Sequence, residues 1–305
     1  MKTIRLGSSN LQVPQIAIGC WRIHLAGRHD AELYIRTAIE EGAVFFDNAD
    51  IYGNGKCEEI LADSVQMSSS IRDKIIVQTK CGIRKGYYDF SKKHILDSVD
   101  GSLRRLKTDY IDILLLHRPD ALIEPEEVAG AFDLLKKSGK VRNFGVSNHN
   151  PAQIKLLQKY IKQPLLANQL QFGIAHASML STGLNVNMMS DFANDRDGGV
   201  LDFCRLNDIT IQAWSPFQYG FAEGVFLDNE NFAPLNKKIN ELAEKYSVKN
   251  TTIALAWILR HPAKIQPIIG TMKIDRLRDC IKALDICLTR EEWYGIYLAA
   301  GNKLP

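Results

Sequence analysis

Four side chains able to move a proton stand where apolar runs of the sequence end. The stretch "VFFDNADIYG" (44–53) passes from Val44, Phe45 and Phe46 to Asp47, with Tyr52 in the turn that follows. "IIVQTK" ends in Lys80 and "IDILLLH" ends in His117. A carboxylate, a phenol, an amine and an imidazole can together form a tuned general acid. Tyrosine alone is a weak one, with an ordinary pKa of about 10. A neighbouring ammonium stabilises the phenolate. Beside Lys80, a drop of about two pKa units at Tyr52, roughly 2.7 kcal/mol, is expected. Asp47 would hold Lys80 charged and oriented, and His117 would position or polarise the oxygen that takes the proton. Such a set suits protonation of a carbonyl oxygen while hydride reaches its carbon. Singly, each residue has a plainer reading: a loop cap for Asp47, a surface lysine, a core histidine, a packing tyrosine.

The elements that must position these residues alternate between strand and helix. The apolar runs 16–20, 44–46, 75–79, 110–116, 141–147, 165–169, 209–214 and 265–270 read as strands. Amphipathic segments at 30–41, 55–67, 91–106, 125–140, 151–160, 198–207, 251–261 and 273–284 read as helices. "PEEVAGAFDLLKKSGK" carries acids first and lysines last, as a helix dipole prefers, and Gly139 is its expected stop. Asn150 and Pro151 supply an N-cap and a first helical residue. Continuous apolar strands imply a parallel sheet covered by helices. Eight such units predict a closed (β/α)8 TIM barrel, an α/β fold, as one domain over residues 1–305. An open doubly wound sheet is the competitor, but the GxGxxG that usually follows its first strand is absent. Ser8, Ser9 and Asn10 lie between "TIRL" and "LQV", which predicts an N-terminal β-hairpin before the barrel. In a barrel the strand ends share one rim, so Asp47, Tyr52, Lys80 and His117 would converge.

Composition narrows the class. A formal charge of +3 over 305 residues points to neither a nucleic-acid nor a membrane-surface partner. The six cysteines are scattered, without CxxC or zinc spacing, and the seven histidines show no metal pattern, so no metal is expected. Reduced thiols, no secretory leader and no transmembrane run predict a cytoplasmic protein. "GNGKC" is no phosphate loop, because Asp50 stands at the first glycine position and Cys57 replaces Ser/Thr. Oligomeric state is not legible.

The pieces "FDNADIYG", "VQTKCG", "LLLHRPD", "GVSNH", "NQLQF" and "AWSPF" resemble the aldo-keto reductases, in family order and across most of the barrel. With "GCWRI" and "HRPD", the likeness is to a group of poorly characterised bacterial oxidoreductases of that family. The resemblance implies a catalytic tetrad at Asp47, Tyr52, Lys80 and His117, a small carbonyl substrate and NADP(H). It implies that Ser147, Asn148 and Gln169 hold the nicotinamide carboxamide, with Trp214 stacked on the ring and Gly19, Cys20 and Trp21 nearby. Ser215, Phe217 and Gly220 would begin the loop over the pyrophosphate. That loop reads "SPFQYG", without the arginine common in relatives. Gly270, Thr271, Met272, Lys273 and Arg276 would take the adenosine 2'-phosphate, with Arg278 a substitute for Arg276 and Asp279 facing the adenine. Substrate choice would lie with Trp21, His24 and the loops near 84–90, 171–198 and 218–232. The alternative within the resemblance is a cofactor-sensing, largely non-catalytic barrel subunit of a larger assembly.

Overall fold

The apolar runs pair in parallel, each with the next, and the last closes on the first. The computed structural model describes residues 1–220 and 223–304. Its barrel strands are β1 (Ala17–Gly19), β2 (Phe45–Asp47), β3 (Ile76–Cys81), β4 (Ile111–Leu116), β5 (Val141–Ser147), β6 (Leu165–Gln171), β7 (Thr210–Trp214) and β8 (Gln266–Ile269). The structure is therefore the expected (β/α)8 barrel. All six residues of β4 are buried, as a strand covered on both faces requires.

The helices that alternate with the strands are α1 (Arg28–Glu40), α2 (Lys56–Val65), α3 (Lys92–Leu106), α4 (Pro125–Lys137), α5 (Pro151–Tyr160), α6 (Val200–Leu206), α7 (Asn250–Leu259) and α8 (Ile274–Lys282). Helix α4 has Pro125 in its first turn with Glu126 and Glu127, and Lys136 and Lys137 in its last. Helix α5 starts in a reciprocal cap between Asn150 and Gln153.

The N-terminal hairpin, Thr3–Arg5 with Gln12–Pro14, is antiparallel and seals the barrel floor. Its Ile4, Leu6 and Val13 join Phe45, Ile113 and Leu115 in one buried cluster. Gly7 turns the chain there with φ 53°; a Cβ on it would meet the Leu166 carbonyl oxygen at 2.4 Å.

Several elements lie outside the predicted alternation. Helices Ala233–Lys245 and Arg290–Ala299 pack against each other on the outer wall. The stretch 171–198 contains helix Ser178–Leu184, tied to the C-terminal helix by a 2.9 Å bond between the Ser181 and Tyr297 hydroxyls. Ile83–Arg84 and Tyr87–Tyr88 form a second small hairpin above β3. In the loop 218–232, Gln218 bridges to Val225; Phe221 and Ala222 lie outside the described residues. No described helix is long and apolar enough to cross a membrane.

Candidate active site

The rim at the strand C-termini gathers Asp47, Tyr52, Lys80 and His117. Asp47 is the last residue of β2, Lys80 lies in β3 and His117 directly follows β4. Tyr52 opens a tight turn that continues through Gly53, Asn54 and Gly55, all with positive φ. The fully buried Lys80 ammonium uses all three protons. It donates to Asp47 Oδ2 at 2.8 Å, the Asn48 carbonyl at 2.7 Å and Tyr52 Oη at 3.2 Å. The Tyr52 ring stands edge-on to His117, with centroids 5.7 Å apart.

The protonation states follow from burial and from these neighbours. Burial presses the Lys80 amine toward neutrality, but Asp47 and Tyr52 outweigh it and the ammonium is held above its ordinary range. Burial, then the Lys80 and Arg118 charges, keep His117 well below 6.5, so its imidazole is neutral. Its Nδ1 is buried without a partner among the described residues. Tyr52 corrects the sequence expectation. Burial of its hydroxyl raises the phenol above 10; Lys80 pulls the value down, Asp47 pushes it up, and the net direction is upward. The expected lowering is absent because desolvation of a phenolate costs more here than one ammonium shared with Asp47 returns. Tyr52 is thus a fully protonated donor at neutral pH.

A cavity of about 1880 Å³ opens onto Tyr52 and His117. It exceeds the roughly 300–1,000 Å³ typical of a site for one drug-sized ligand. One wall is Ser147, Asn148, Gln169 and Trp214, from the ends of β5, β6 and β7. These four form a fixed array. The Trp214 indole N–H donates to Asn148 Oδ1 at 3.2 Å, Asn148 Nδ2 to Ser147 Oγ at 2.7 Å, and Ser147 Oγ to the main-chain carbonyl of Gln169 at 3.0 Å. Asn148 is left-handed, with φ 59°, a conformation asparagine tolerates. The cavity continues past Ser215 and Phe217 to Gly270, Thr271, Arg276 and Asp279, where β8 leads into α8. Gly19 and Trp21 line the β1 side.

Other candidates stand back from it. The Cys20 side chain is buried in the hydrophobic core rather than facing the cavity, and burial pushes its thiol well up. Gly220 is not part of the described lining, and Met272 packs part-buried against the core. Lys273 is exposed at the N-cap of α8, its amide donating to Thr271 Oγ1 at 3.1 Å. Arg278, the substitute considered for Arg276, instead pairs with Glu41 at 2.9 Å. His24 bonds the Trp21 carbonyl, and His149 is buried against the Ser147 carbonyl.

Some residues at the site went unread in the sequence. Arg22 lines the cavity and donates to the Gly270 carbonyl at 3.1 Å, joining β1 to β8. Arg118 lines it as well, its guanidinium 5.7 Å from the Trp214 ring centroid. Gln78 and Gln212 touch the site from inside the barrel. Their signal was available: a glutamine within an apolar strand run must find amide partners.

With this geometry in hand, comparison with known proteins places the chain. The model of the aldo/keto reductase family matches residues 15–297. The uncharacterized oxidoreductase YcsN of Bacillus subtilis is 37% identical over the full length of both chains. A 6-dehydroglucose reductase of Agrobacterium fabrum is 34% identical over 97% of each. The crystal structure of the thermostable aldo-keto reductase Tm1743 superposes with a TM-score of 0.80 at 25% identity, covering 98% of this chain and all of that one. By its barrel and by a family match spanning nearly its whole length, this chain belongs to the aldo/keto reductase family.

Proposed function

We propose that this protein is a cytoplasmic, NADPH-dependent reductase of small aldehydes or ketones. The observation that carries the reading is the Lys80 ammonium, within hydrogen-bond reach of both Asp47 and Tyr52 at the mouth of a long cavity. The cavity's donor set fits the cofactor. Trp214 offers a flat face, Ser147, Asn148 and Gln169 offer polar groups for a carboxamide, and the β8–α8 turn offers Arg276 at a helix N-terminus. Bound there, NADPH would supply the hydride for the carbonyl carbon. Ser215, Phe217 and Gly220 would cover its pyrophosphate, and Asp279 would meet the adenine.

The chain's own residues then handle the proton. A carbonyl oxygen set against Tyr52 Oη takes the phenolic proton as negative charge builds on it. The phenolate left behind is stabilised by Lys80, whose charge Asp47 maintains. Neutral His117 orients the oxygen by hydrogen bonding without competing as an acid. The raised pKa of Tyr52 suits this role, because the group stays loaded until an alkoxide forms. The relative named as a 6-dehydroglucose reductase makes sugar aldehydes a sensible part of any substrate panel.

Tyr52→Phe tests the assignment. The variant keeps the ring and removes the transferable proton. Carbonyl-dependent NADPH oxidation should fall by about three orders of magnitude or more, with NADPH affinity by fluorescence nearly unchanged. Near-normal turnover would remove Tyr52 as the acid. The alternative subunit role shares the cofactor site and differs in turnover, so a wild-type protein that binds NADPH yet reduces no carbonyl would favour it.

A further inference from the structure

Four glutamines lie inside the barrel, in strands otherwise built of apolar residues. Gln78, Gln212 and Gln266 are fully buried and Gln169 nearly so. Strand register sets Asp47 beside Gln78, Gln169 beside Gln212, and Gln212 beside Gln266. Their amides form one chain. Gln78 Nε2 donates to Asp47 Oδ1 at 2.6 Å and to Gln212 Oε1 at 2.9 Å. Gln169 Nε2 donates to the same two acceptors at 3.0 and 3.3 Å. Gln212 Nε2 donates to Gln78 Oε1 at 3.1 Å and to Gln266 Oε1 at 2.9 Å. Gln266 Nε2 ends the chain on the Pro14 carbonyl of the N-terminal hairpin, at 2.6 Å.

An amide has two N–H donors and one carbonyl, and its sense is normally set by its partners. Here Asp47 sets it. An ionised carboxylate only accepts, so Gln78 and Gln169 must both turn their NH2 groups toward it. Their remaining N–H groups then require the carbonyl of Gln212, whose own NH2 must face Gln78 and Gln266. Two consequences follow at the rim. Asp47 Oδ1 is held by two amides while Oδ2 takes Lys80, which fixes the carboxylate plane. Gln169, with both protons engaged, offers the cavity its carbonyl and no donor. A layer of Val, Ile or Leu would fill this space without the cost of burying amides. What the amides add is direction.

We propose that Gln78 and Gln212 are positioning residues for carbonyl reduction: Gln78 holds the Asp47 carboxylate against Lys80, and Gln212 fixes Gln169 as an acceptor for the amide N–H of the nicotinamide. This rests on the reductase reading above. The test compares Gln78→Met and Gln212→Met, which keep side-chain length and remove the amide. Measured are kcat with an accepted carbonyl, the NADPH dissociation constant by fluorescence, and the melting temperature. Gln78→Met should lower kcat about tenfold or more while NADPH affinity stays within about twofold, and Gln212→Met should weaken NADPH about tenfold. A structural role alone would lower both melting temperatures and leave this split absent. Folded variants with wild-type kcat and NADPH affinity overturn the inference. If a Met variant does not fold, Asn at that position, an amide one methylene short, carries the same expectation. An active wild type with indifferent variants sinks this inference alone. A wild type that neither binds NADPH nor reduces any carbonyl sinks it together with the reductase reading.

Discussion

Arg276, in the first turn of α8, is the basic side chain of that helix that lines the cavity, and on the proposed reading the cofactor preference rests on one or two side chains. Lys273 stands exposed at the N-cap position of the same helix, and Arg278 is drawn off by Glu41. A phosphate at the N-terminus of α8 would meet free amides as well as the guanidinium. Charge-assisted bonds of about 1.5–3 kcal/mol each make a preference of about tenfold or more for NADPH over NADH the expected result of one good contact. Lys273→Met with Arg276→Met should erase most of that preference and leave NADH affinity unchanged, with Arg276→Met alone giving the larger share. Fluorescence titration with both cofactors reads this directly; a double variant with its full preference would place the phosphate elsewhere. At this scale the sequence was legible wherever a residue type stood out against its run. Asp47, Lys80 and His117 each interrupt an apolar stretch at its end, and the structure brings all three to one rim with Tyr52. Gln78 and Gln212 interrupt such stretches too, one or two positions earlier, where strand ends and strand interiors look alike in sequence. The direction of the Tyr52 shift was illegible because it depends on how deeply the hydroxyl is buried, and spacing carries no depth.

Helix α5 shows how an element fixes the residues beside it. The chain leaves β5 through Ser147 and Asn148 and must turn at once into the helix. Asn150 Oδ1 accepts from the Gln153 amide and Gln153 Oε1 accepts from the Asn150 amide, both at 2.9 Å, while Pro151 presets the first turn. Asn150→Ala removes one half of this reciprocal cap and should cost about 1 kcal/mol, measured by chemical denaturation. An unchanged midpoint and slope would mean the turn is held by the strand alone. This cap could be read from the sequence because its signals are local: Asn, then Pro, then Gln at the third helical position. The strands were legible for a similar reason, since each is an apolar run bounded by polar residues. Ala233–Lys245 and Arg290–Ala299 were not placed, although Leu235, Ile239 and Leu242 lie on one buried face. A reading that assigns one helix to each strand has no slot for them. The hairpin Ile83–Arg84 with Tyr87–Tyr88 has two residues per strand, too few for any alternation to show.

Taken whole, the molecule buries titratable groups whose effects on stability oppose one another. Burial, the larger effect, holds His149 at about 4, with its bond to the Ser147 carbonyl pulling back up; burial and Arg205 hold His261 at about 4. His117 is lowered as well. In the unfolded chain each takes a proton near 6.5, so the unfolded state binds more protons below that pH and stability falls as the solution is acidified toward 4. His149 alone accounts for up to about 3 kcal/mol of this loss. Asp50 acts in the other sense. Burial, reinforced by Glu58 and only partly countered by Arg105, raises its carboxyl to about 7, and its Oδ1 is buried without a partner among the described residues. Its folded form keeps a proton that the unfolded chain releases near 3.8, so its contribution is greatest at low pH and is lost as pH rises through about 7. Between pH 4 and 6.5 the three histidines outweigh the one carboxyl, and stability should climb. Above 6.5 the histidines are neutral in both states, and Asp50 alone brings a further small decline. Asp50→Asn removes that group without changing its shape. The substitution should therefore raise stability by about 3 kcal/mol more at pH 8 than at pH 5, read as the difference between two pairs of denaturation curves. Equal effects at both pH values would show that Asp50 does not titrate in this range.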